Sequence, residues 1–318
     1  MSGYSVLGNG GLRESFRRLR GRGPSQEGGE NSMMGDTDIF QQTFSHHWAA
    51  CQACIQDYQP LSDQAGDIIL TVGAQLEQML QLLQLELNTN NNSVVGGGGR
   101  TILDSLLSDR ECILGQMVDW SRGLPYTQSD PLLTTQLRLL DLLISCHTAH
   151  QSVISHGKVA GPLVGLLELV ANLPASHQPS PALQAALLPL LHTVVALLVE
   201  TPALLPLFTQ EEEGFVVFSL LTRYLHSPGQ LGQTARDALL LCISLSCRHS
   251  PTQTFISHHS NFCPVLATGL SGLWSALPRT LPPATERLQP AACPGIPGLA
   301  SLITSLELCS AVIEASGW

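Results

Sequence analysis

Residues 66–87, GDIILTVGAQLEQMLQLLQLEL, decide the fold class of this chain. Their apolar side chains recur at steps of three and four residues, in the order Ile69, Val72, Leu76, Leu80, Leu83 and Leu87. Glu77 and several glutamines occupy positions elsewhere around the helical wheel. Because a stripe with this period lies on one face of an α-helix, the stretch predicts a long amphipathic helix.

The same helical period continues beyond this stretch. Residues 130–150 contain the stripe Leu133, Leu137, Leu140 and Ile144, and they place Arg138 and Asp141 at a spacing that permits an i, i+3 ion pair. Leucine accounts for 56 of the 318 residues, whereas aromatic residues make up only 5%. Leucine is a strong helix former, and strands favour β-branched and aromatic residues. The composition and the period together predict an all-α protein.

A recurring dipeptide marks the expected starts of helices. In each case a residue whose side-chain oxygen can cap a helix precedes a proline. Proline lacks a backbone N–H, but at the first helical position no hydrogen bond is lost, because an N–H there would have no intrahelical partner. The four pairs are Asp130-Pro131, Ser180-Pro181, Thr201-Pro202 and Ser250-Pro251. The Ser-Pro pairs also fit phosphorylation sites, which is the alternative interpretation. We interpret the pairs as helix caps.

These signals predict ten to twelve helices with short connections and no convincing strand. Helices with one apolar face stack as antiparallel pairs in HEAT and armadillo proteins, where each pair takes about 40–47 residues. No strict sequence repeat is present, so a compact helical domain is the alternative. We predict an α-solenoid of stacked antiparallel helix pairs.

Two segments differ from the helical background. Residues 1–35 are rich in Gly, Ser and Arg and crowd five arginines into one short stretch (Arg13, Arg17, Arg18, Arg20 and Arg22). Composition predicts a disordered arm, and contact with anionic lipid or a partner is the functional alternative. Residues 36–318 are expected to form the helical domain. Within it, residues 88–99 (NTNNNSVVGGGG) predict a flexible loop, and the next helix is expected to run from about Thr101 to Trp120.

Charge and cysteine usage limit the possible partners and compartment. The net charge is −10, so the surface would repel phosphate backbones and nucleic acid is not an expected partner. Nine cysteines form an odd, scattered set, and the N-terminus has no apolar run of signal-peptide length. We therefore predict reduced thiols in the cytosol.

Cys51 and Cys54 are the strongest candidates for a metal or redox site. On a helix, the spacings of Cys51 to Cys54 and of His47 to Cys51 would place ligands on one face. A second ligand pair at matching spacing is absent, and neither a preceding strand nor an intervening Gly-Pro supports redox chemistry. We interpret the motif as a coincidence of helix positions and predict no cofactor, with a zinc- or thiol-dependent protein as the alternative.

No catalytic motif is complete. Gly272 follows Ser271 directly and position 273 is leucine, so residues 269–273 do not match the G-x-S-x-G elbow of hydrolases. Residues 96–101 (GGGGRT) lack both the first glycine and the lysine of a phosphate-binding loop. We predict that the chain is not an enzyme and has no catalytic residue.

A membrane span is the second alternative. Residues 182–199 carry no formal charge. A helix of this length is just long enough to cross a bilayer. Gln184, Pro189 and His192 lie inside the run, and no flanking lysine or arginine would orient it. A buried solenoid helix is the prediction, and an integral membrane protein spanning about 182–208 is the alternative.

Residues 159–222 contain no lysine or arginine. We therefore expect another polypeptide, or further parts of this protein, to cover this stretch.

Three runs in the last third of the chain resemble a known family. Residues 231–241 (LGQTARDALLL), 262–278 (FCPVLATGLSGLWSALP) and 298–313 (GLASLITSLELCSAVI) closely resemble the FHIP family, the FTS- and Hook-interacting proteins. Phe44-x-x-His47-Trp48 is similar to that family's opening F-x-x-H-W helix. The resemblance spans roughly residues 40–315 and is densest over residues 230–313.

The resemblance implies a non-enzymatic helical scaffold in the cytoplasm, on or near endosomal vesicles. Family members join a Hook adaptor coiled coil and FTS, a catalytically inactive ubiquitin-conjugating-enzyme-like protein, in the FTS/Hook/FHIP complex. That complex links endosomal vesicle cargo to dynein and promotes vesicle trafficking and fusion with the HOPS complex. An endosomal Rab GTPase is a further expected partner, and any membrane contact is expected to be peripheral.

This chain departs from the family pattern in two ways, in its length and in the loop over residues 88–99. Family members are much longer, so we expect this chain to be an amino-terminal portion, truncated at its C-terminal end. The 88–99 loop resembles an insertion. Within the matched region, Arg236 and Asp237 bring opposite charges into an otherwise apolar helix, where they either pair with adjacent helices or mark a partner-facing edge. They are the candidate partner-binding residues.

Overall fold

The computed structural model describes residues 36–92, 101–107, 112–145, 157–174, 179–210, 214–276 and 299–315. The first six helices in these ranges are α1 Asp36–Asp57, α2 Ala65–Asn92, α3 Ile102–Leu107, α4 Ile113–Arg122, α5 Tyr126–Ser145 and α6 Gly157–Ala171. The next six are α7 Pro181–Glu200, α8 Val216–Thr222, α9 Gly229–Ser246, α10 Ser250–Thr254, α11 Phe262–Ala276 and α12 Leu299–Ala315. A 3-10 helix, Pro202–Leu207, follows α7, and a π-helical turn, Phe255–His259, follows α10.

The helices stack in two rows. In the first row α2, α5, α7, α9 and α12 each pack on the next. In the second row α4 packs on α6, α6 on α8, and α8 on α11. Helices that are consecutive in sequence also pair across the rows, as α1 does with α2, α8 with α9 and α11 with α12. The prediction of an all-α, solenoid-like fold is confirmed.

The predicted apolar stripes form the buried faces of the first row. In α2 the stripe from Ile69 to Leu83 is at most 4% exposed, and α1 and α5 cover it. In α5 the stripe Leu133, Leu137, Leu140 and Ile144 is at most 2% exposed. Full burial of each leucine side chain contributes about 1.5–3 kcal/mol, so these seams account for much of the stability of the stack.

Arg138 and Asp141 do not pair with each other within α5, although their spacing permits an ion pair. Arg138 Nη1 instead donates to Glu77 Oε2 of α2 at 3.1 Å, and Asp141 Oδ1 accepts from the Thr193 hydroxyl of α7 at 3.1 Å. Each side chain therefore bonds to a neighbouring helix of the first row. Both partners are more than 50 residues away in sequence.

The helix caps agree with prediction at one position and differ at three. Ser180 Oγ accepts from the Leu183 N–H at 3.2 Å, and Pro181 is the first residue of α7. The Asp130 prediction is wrong because α5 already begins at Tyr126, which leaves Pro131 inside the helix. Thr201 precedes the 3-10 helix without a side-chain bond. At α10, His249 and not Ser250 is the capping residue.

The Asn/Gly segment and the helix after it also differ from prediction. α2 continues to Asn92, so residues 88–92 of the predicted flexible loop are helical, while residues 93–99 lie outside the described residues. The single helix expected over residues 101–120 is split into α3 and α4. Glu86, 1% exposed, links α2 to α3, since both its carboxylate oxygens accept from the Ile102 N–H at 3.0 Å. This bond caps the first turn of α3 from 16 residues away.

A small hairpin interrupts the helices, although no strand was predicted. Thr209–Gln210 and Gly214–Phe215 form antiparallel strands β1 and β2. Gly214 has a φ of +77°, a conformation that favours glycine. Beside the hairpin, Phe218 of α8 lies 6.5 Å from Phe215 and 5.1 Å from Phe262, measured between ring centroids. The three rings join β2, α8 and α11 in one aromatic cluster.

Candidate docking surface

Arg236 lies inside the stack. It is 2% exposed on α9, and its Nη1 donates to the Leu225 carbonyl at 3.0 Å, just after the end of α8. Nη2 donates to Gln233 Oε1 at 3.3 Å, and Nε has no hydrogen-bond partner among the described residues. Burial lowers the pKa of the Arg236 guanidinium, and the neighbouring Asp237 carboxylate opposes that shift. Within this structure Arg236 therefore joins α9 to the turn that follows α8.

Asp237 has the opposite surroundings. Its side chain is exposed, and its Oδ1 accepts from Gln233 Nε2 at 2.8 Å. A partner could therefore contact Asp237 without a change in the fold. Contact with the Arg236 guanidinium would require the turn after α8 to open. A partner-binding role for the two residues stays a prediction.

Substitution at the two positions should separate a structural role from a binding role. We expect Arg236→Gln to lose about 1–3 kcal/mol of stability, because the shorter amide cannot reach the Leu225 carbonyl and leaves it without its donor. Asp237→Asn should change stability by less than about 0.5 kcal/mol, as is usual for an exposed position. Urea unfolding followed by circular dichroism measures both. Equal midpoints for the two variants would contradict the structural role of Arg236.

Cys51 and Cys54 lie one helical turn apart on α1, Cys51 buried and Cys54 half-buried, and both thiols are free. Burial, with the neighbouring Cys54 as a smaller cause, raises the pKa of the Cys51 thiol to about 12. A thiol with this pKa stays protonated at neutral pH, and the protonated form is a poor nucleophile. His47 Nδ1 lies 2.6 Å from Gln75 Oε1 and is bonded there. Among the described residues no group of three or more His, Cys, Asp or Glu side chains is arranged to hold a metal ion.

The segment considered as a membrane span forms the central helix of the first row. One helix of the described residues, Pro181–Glu200, is long and apolar enough to cross a bilayer, with a mean hydropathy of 2.1, and 56% of that window is buried. Helices α5 and α9 of this same chain pack against it, so the solenoid itself covers part of this helix. The segment 182–208 is not one helix, because α7 ends at Glu200 and the 3-10 helix begins at Pro202.

An open cavity of about 400 Å³ lies where the ends of α6 and α8 meet the start of α7. Its lining combines apolar residues with Gln184, Arg223 and Tyr224. Burial raises the pKa of the Tyr224 hydroxyl, which therefore stays protonated at neutral pH. The described lining contains no cysteine, histidine or carboxylate side chain.

The second face of α12 is a surface that the sequence analysis did not identify. One face of this helix is buried, with Leu302 6%, Ser305 0% and Leu308 0% exposed. On another face Leu306 is 54% and Ile313 is 56% exposed. In the sequence, this second face is indicated by the three- and four-residue spacing of Ile303, Leu306, Ser310 and Ile313. These positions are different from those of the buried residues Leu302, Ser305 and Leu308. The arginine-rich residues 1–35 lie outside the described residues.

Comparison with known proteins places this helical array in a family. Residues 110–316 match the family described as Retinoic acid induced 16-like protein. An FHIP family protein of Drosophila ananassae is 32% identical over 304 residues, which cover 86% of this chain and 28% of the relative. The human FHF complex subunit HOOK-interacting protein 1A is 31% identical over 296 residues, covering 88% of this chain and 27% of the relative.

The chain thus spans less than a third of the length of these relatives. The family match covers α4 to α12, which includes Arg236, the aromatic cluster and both faces of α12. The chain belongs to the FHIP family, described also as Retinoic acid induced 16-like proteins.

Proposed function

We propose that this chain acts as part of a non-enzymatic scaffold subunit of the FTS/Hook/FHIP complex. The observation that carries the proposal is the 31% identity to the human FHF complex subunit HOOK-interacting protein 1A, which extends over 88% of this chain. The two-row helical stack supports it, because stacked helices present extended surfaces to partner proteins. The side chains of Cys51, Tyr224 and Arg236 are buried among packed helices, which supports structural roles for them.

Under this proposal the partners are a Hook-family coiled coil and FTS. The scaffold would link endosomal vesicle cargo to dynein from the cytoplasmic side and would promote trafficking and fusion with the HOPS complex and an endosomal Rab GTPase. The net charge of −10 supports protein partners over nucleic acid or an anionic membrane surface. Partner helices that lie in grooves between solenoid helices are the expected mode of binding.

Co-purification tests the proposal. The tagged 318-residue chain is mixed with a Hook coiled coil and FTS, and the retained proteins are measured after washing. We expect both partners to be retained, and we expect an unrelated coiled coil of similar charge to be lost. A folded chain, shown by helical circular dichroism and a cooperative melting transition, that retains neither partner would contradict the proposed function.

A further inference from the structure

Helix α12 is apolar around most of its circumference, yet only part of its surface is covered. Its inner side packs on α9 and α11. Helix α7 has a similarly apolar sequence and lies in the middle of the first row with neighbours on both sides. A helix that is apolar all round is normally buried all round. Leu306 and Ile313, each more than half exposed, therefore lie on a face suited to a further contact.

The residues of this outer face have the spacing of a coiled-coil seam. Ile303, Leu306, Ser310 and Ile313 follow each other at steps of three, four and three residues, the order of the a and d positions of a heptad. Ile303 is half-buried at the edge of the face, and Ser310 is exposed within it. A seam of this kind accepts the apolar stripe of one other helix.

The charges beside the seam restrict which helix fits. Glu307 and Glu314 each follow a d position directly, are exposed, and lie seven residues apart on the same flank. Both are e positions of the heptad, where charge selects the partner. Residues 299–315 contain no lysine or arginine. The flank is therefore acidic and complements a helix that carries basic residues beside its own apolar seam.

We propose that the outer face of α12 (Ile303, Leu306, Ser310 and Ile313, flanked by Glu307 and Glu314) docks an amphipathic helix of a partner protein whose apolar seam is flanked by lysines or arginines. The apolar seam supplies affinity, and the two carboxylates select the sign of charge on the partner. The proposal rests on the proposed scaffold function and assigns one docking face within it.

Two synthetic helices about four heptads long test the proposal. Both carry leucine at a and d, and one has lysine and the other glutamate at e and g. Binding of each to the full 318-residue chain is measured by fluorescence anisotropy at two salt concentrations. We expect the lysine peptide to bind about tenfold more tightly than the glutamate peptide, with the difference shrinking at high salt.

Three variants separate docking on α12 from general attraction to an acidic protein. Leu306→Arg should weaken binding of the lysine peptide at least about tenfold, because it places a charge in the seam. Leu70→Arg on α2 is the matched control, since Leu70 is also an exposed leucine (66%), and it should leave binding unchanged. The double variant Glu307→Lys with Glu314→Lys should reverse the preference toward the glutamate peptide. Equal binding to wild type and Leu306→Arg, or no preference between the peptides, would overturn the proposal.

The same variants keep this proposal distinct from the scaffold function. If wild type and Leu306→Arg both retain Hook and FTS, α12 is not their docking face, while the scaffold function stands. If wild type retains neither, the scaffold function fails, and the peptides still report on α12. If the chain sediments as a dimer and the Leu306→Arg variant as a monomer, a second copy of this chain occupies the face. That result would overturn the proposal. If α12 is more strongly protected from hydrogen exchange in a longer version of the protein than in this chain, without any partner, further parts of the protein cover the face and the proposal is overturned.

Discussion

Gly232→Ala is expected to destabilise the chain by more than about 3 kcal/mol, at the upper end of the cost of overpacking. A Cβ at this position of α9 would overlap the carbonyl oxygen of Ser227 and lie 2.7 Å from its carbonyl carbon. Because the obstacle is backbone and not the tip of a flexible side chain, either α9 or the turn before it must move. The added methyl would also lie 3.0 Å from Arg236 Nη1, the atom that donates to the Leu225 carbonyl.

Gly73→Ala is the matched control for this substitution. Gly73 is also a helical glycine, in α2, but a Cβ there would meet nothing within 4 Å. Alanine should therefore raise stability by about 0.5–1 kcal/mol through its higher helix propensity. Urea unfolding followed by circular dichroism at 222 nm compares both variants with wild type. Equal shifts of the unfolding midpoint in Gly232→Ala and Gly73→Ala would contradict the expected clash at Gly232.

Phe218→Ala is expected to cost about 3–5 kcal/mol, the usual range for removal of a buried phenylalanine. Phe218 is fully buried, and its ring contacts Phe215 of β2 and Phe262 of α11. Truncation would leave a cavity where three elements meet. In a stack whose elements contact only their neighbours, we expect the loss to affect α8 and α11 before the helices at the other end.

Hydrogen exchange resolved along the chain measures where the stability is lost. In Phe218→Ala, protection should fall first in α8, β2 and α11, while α2 and α5 keep theirs. Tyr126→Ala provides the control, because Tyr126 is an aromatic residue that is 47% exposed, and its truncation should cost less than about 1 kcal/mol. Uniform loss of protection from α1 to α12 would contradict the local effect.

The sequence could predict those parts of the fold that depend on local pattern. The stripes of α2 and α5 repeat every three or four residues, and burial of that face follows from helical geometry alone. Ser180 could be recognised as a cap because its partner, the Leu183 N–H, is only three residues away. Local spacing is sufficient information in each of these cases.

Contacts between distant residues could not be predicted in this way. Asp130 resembles the cap of its own helix, yet its carboxylate accepts from the Ser180 N–H at 2.8 Å, fifty residues later in the chain. Glu86 caps α3 across the Asn/Gly segment, and Arg138 bonds to α2 and not to its neighbour Asp141. Which helix lies beside which is set by packing of the whole stack, and a single sequence contains no direct record of it.

At the Arg236-Asp237 pair and on α12, local pattern could likewise be predicted from the sequence, whereas burial could not. The Arg236-Asp237 pair was identified as unusual from its apolar neighbours, but the burial of one charge and the exposure of the other depend on how α9 is rotated against α8. The spacing on α12 was visible in the sequence, but two apolar faces on one helix are distinguished only when one of them is covered.

The two-row arrangement has a mechanical consequence. The most extensive packing of each described helix is with its neighbours in the stack, so a force applied between α1 and α12 would act on the interfaces in series. The interface with the least buried surface would yield first and would extend the molecule by one step while the others held. We expect such a stack to lengthen under load in increments and not all at once.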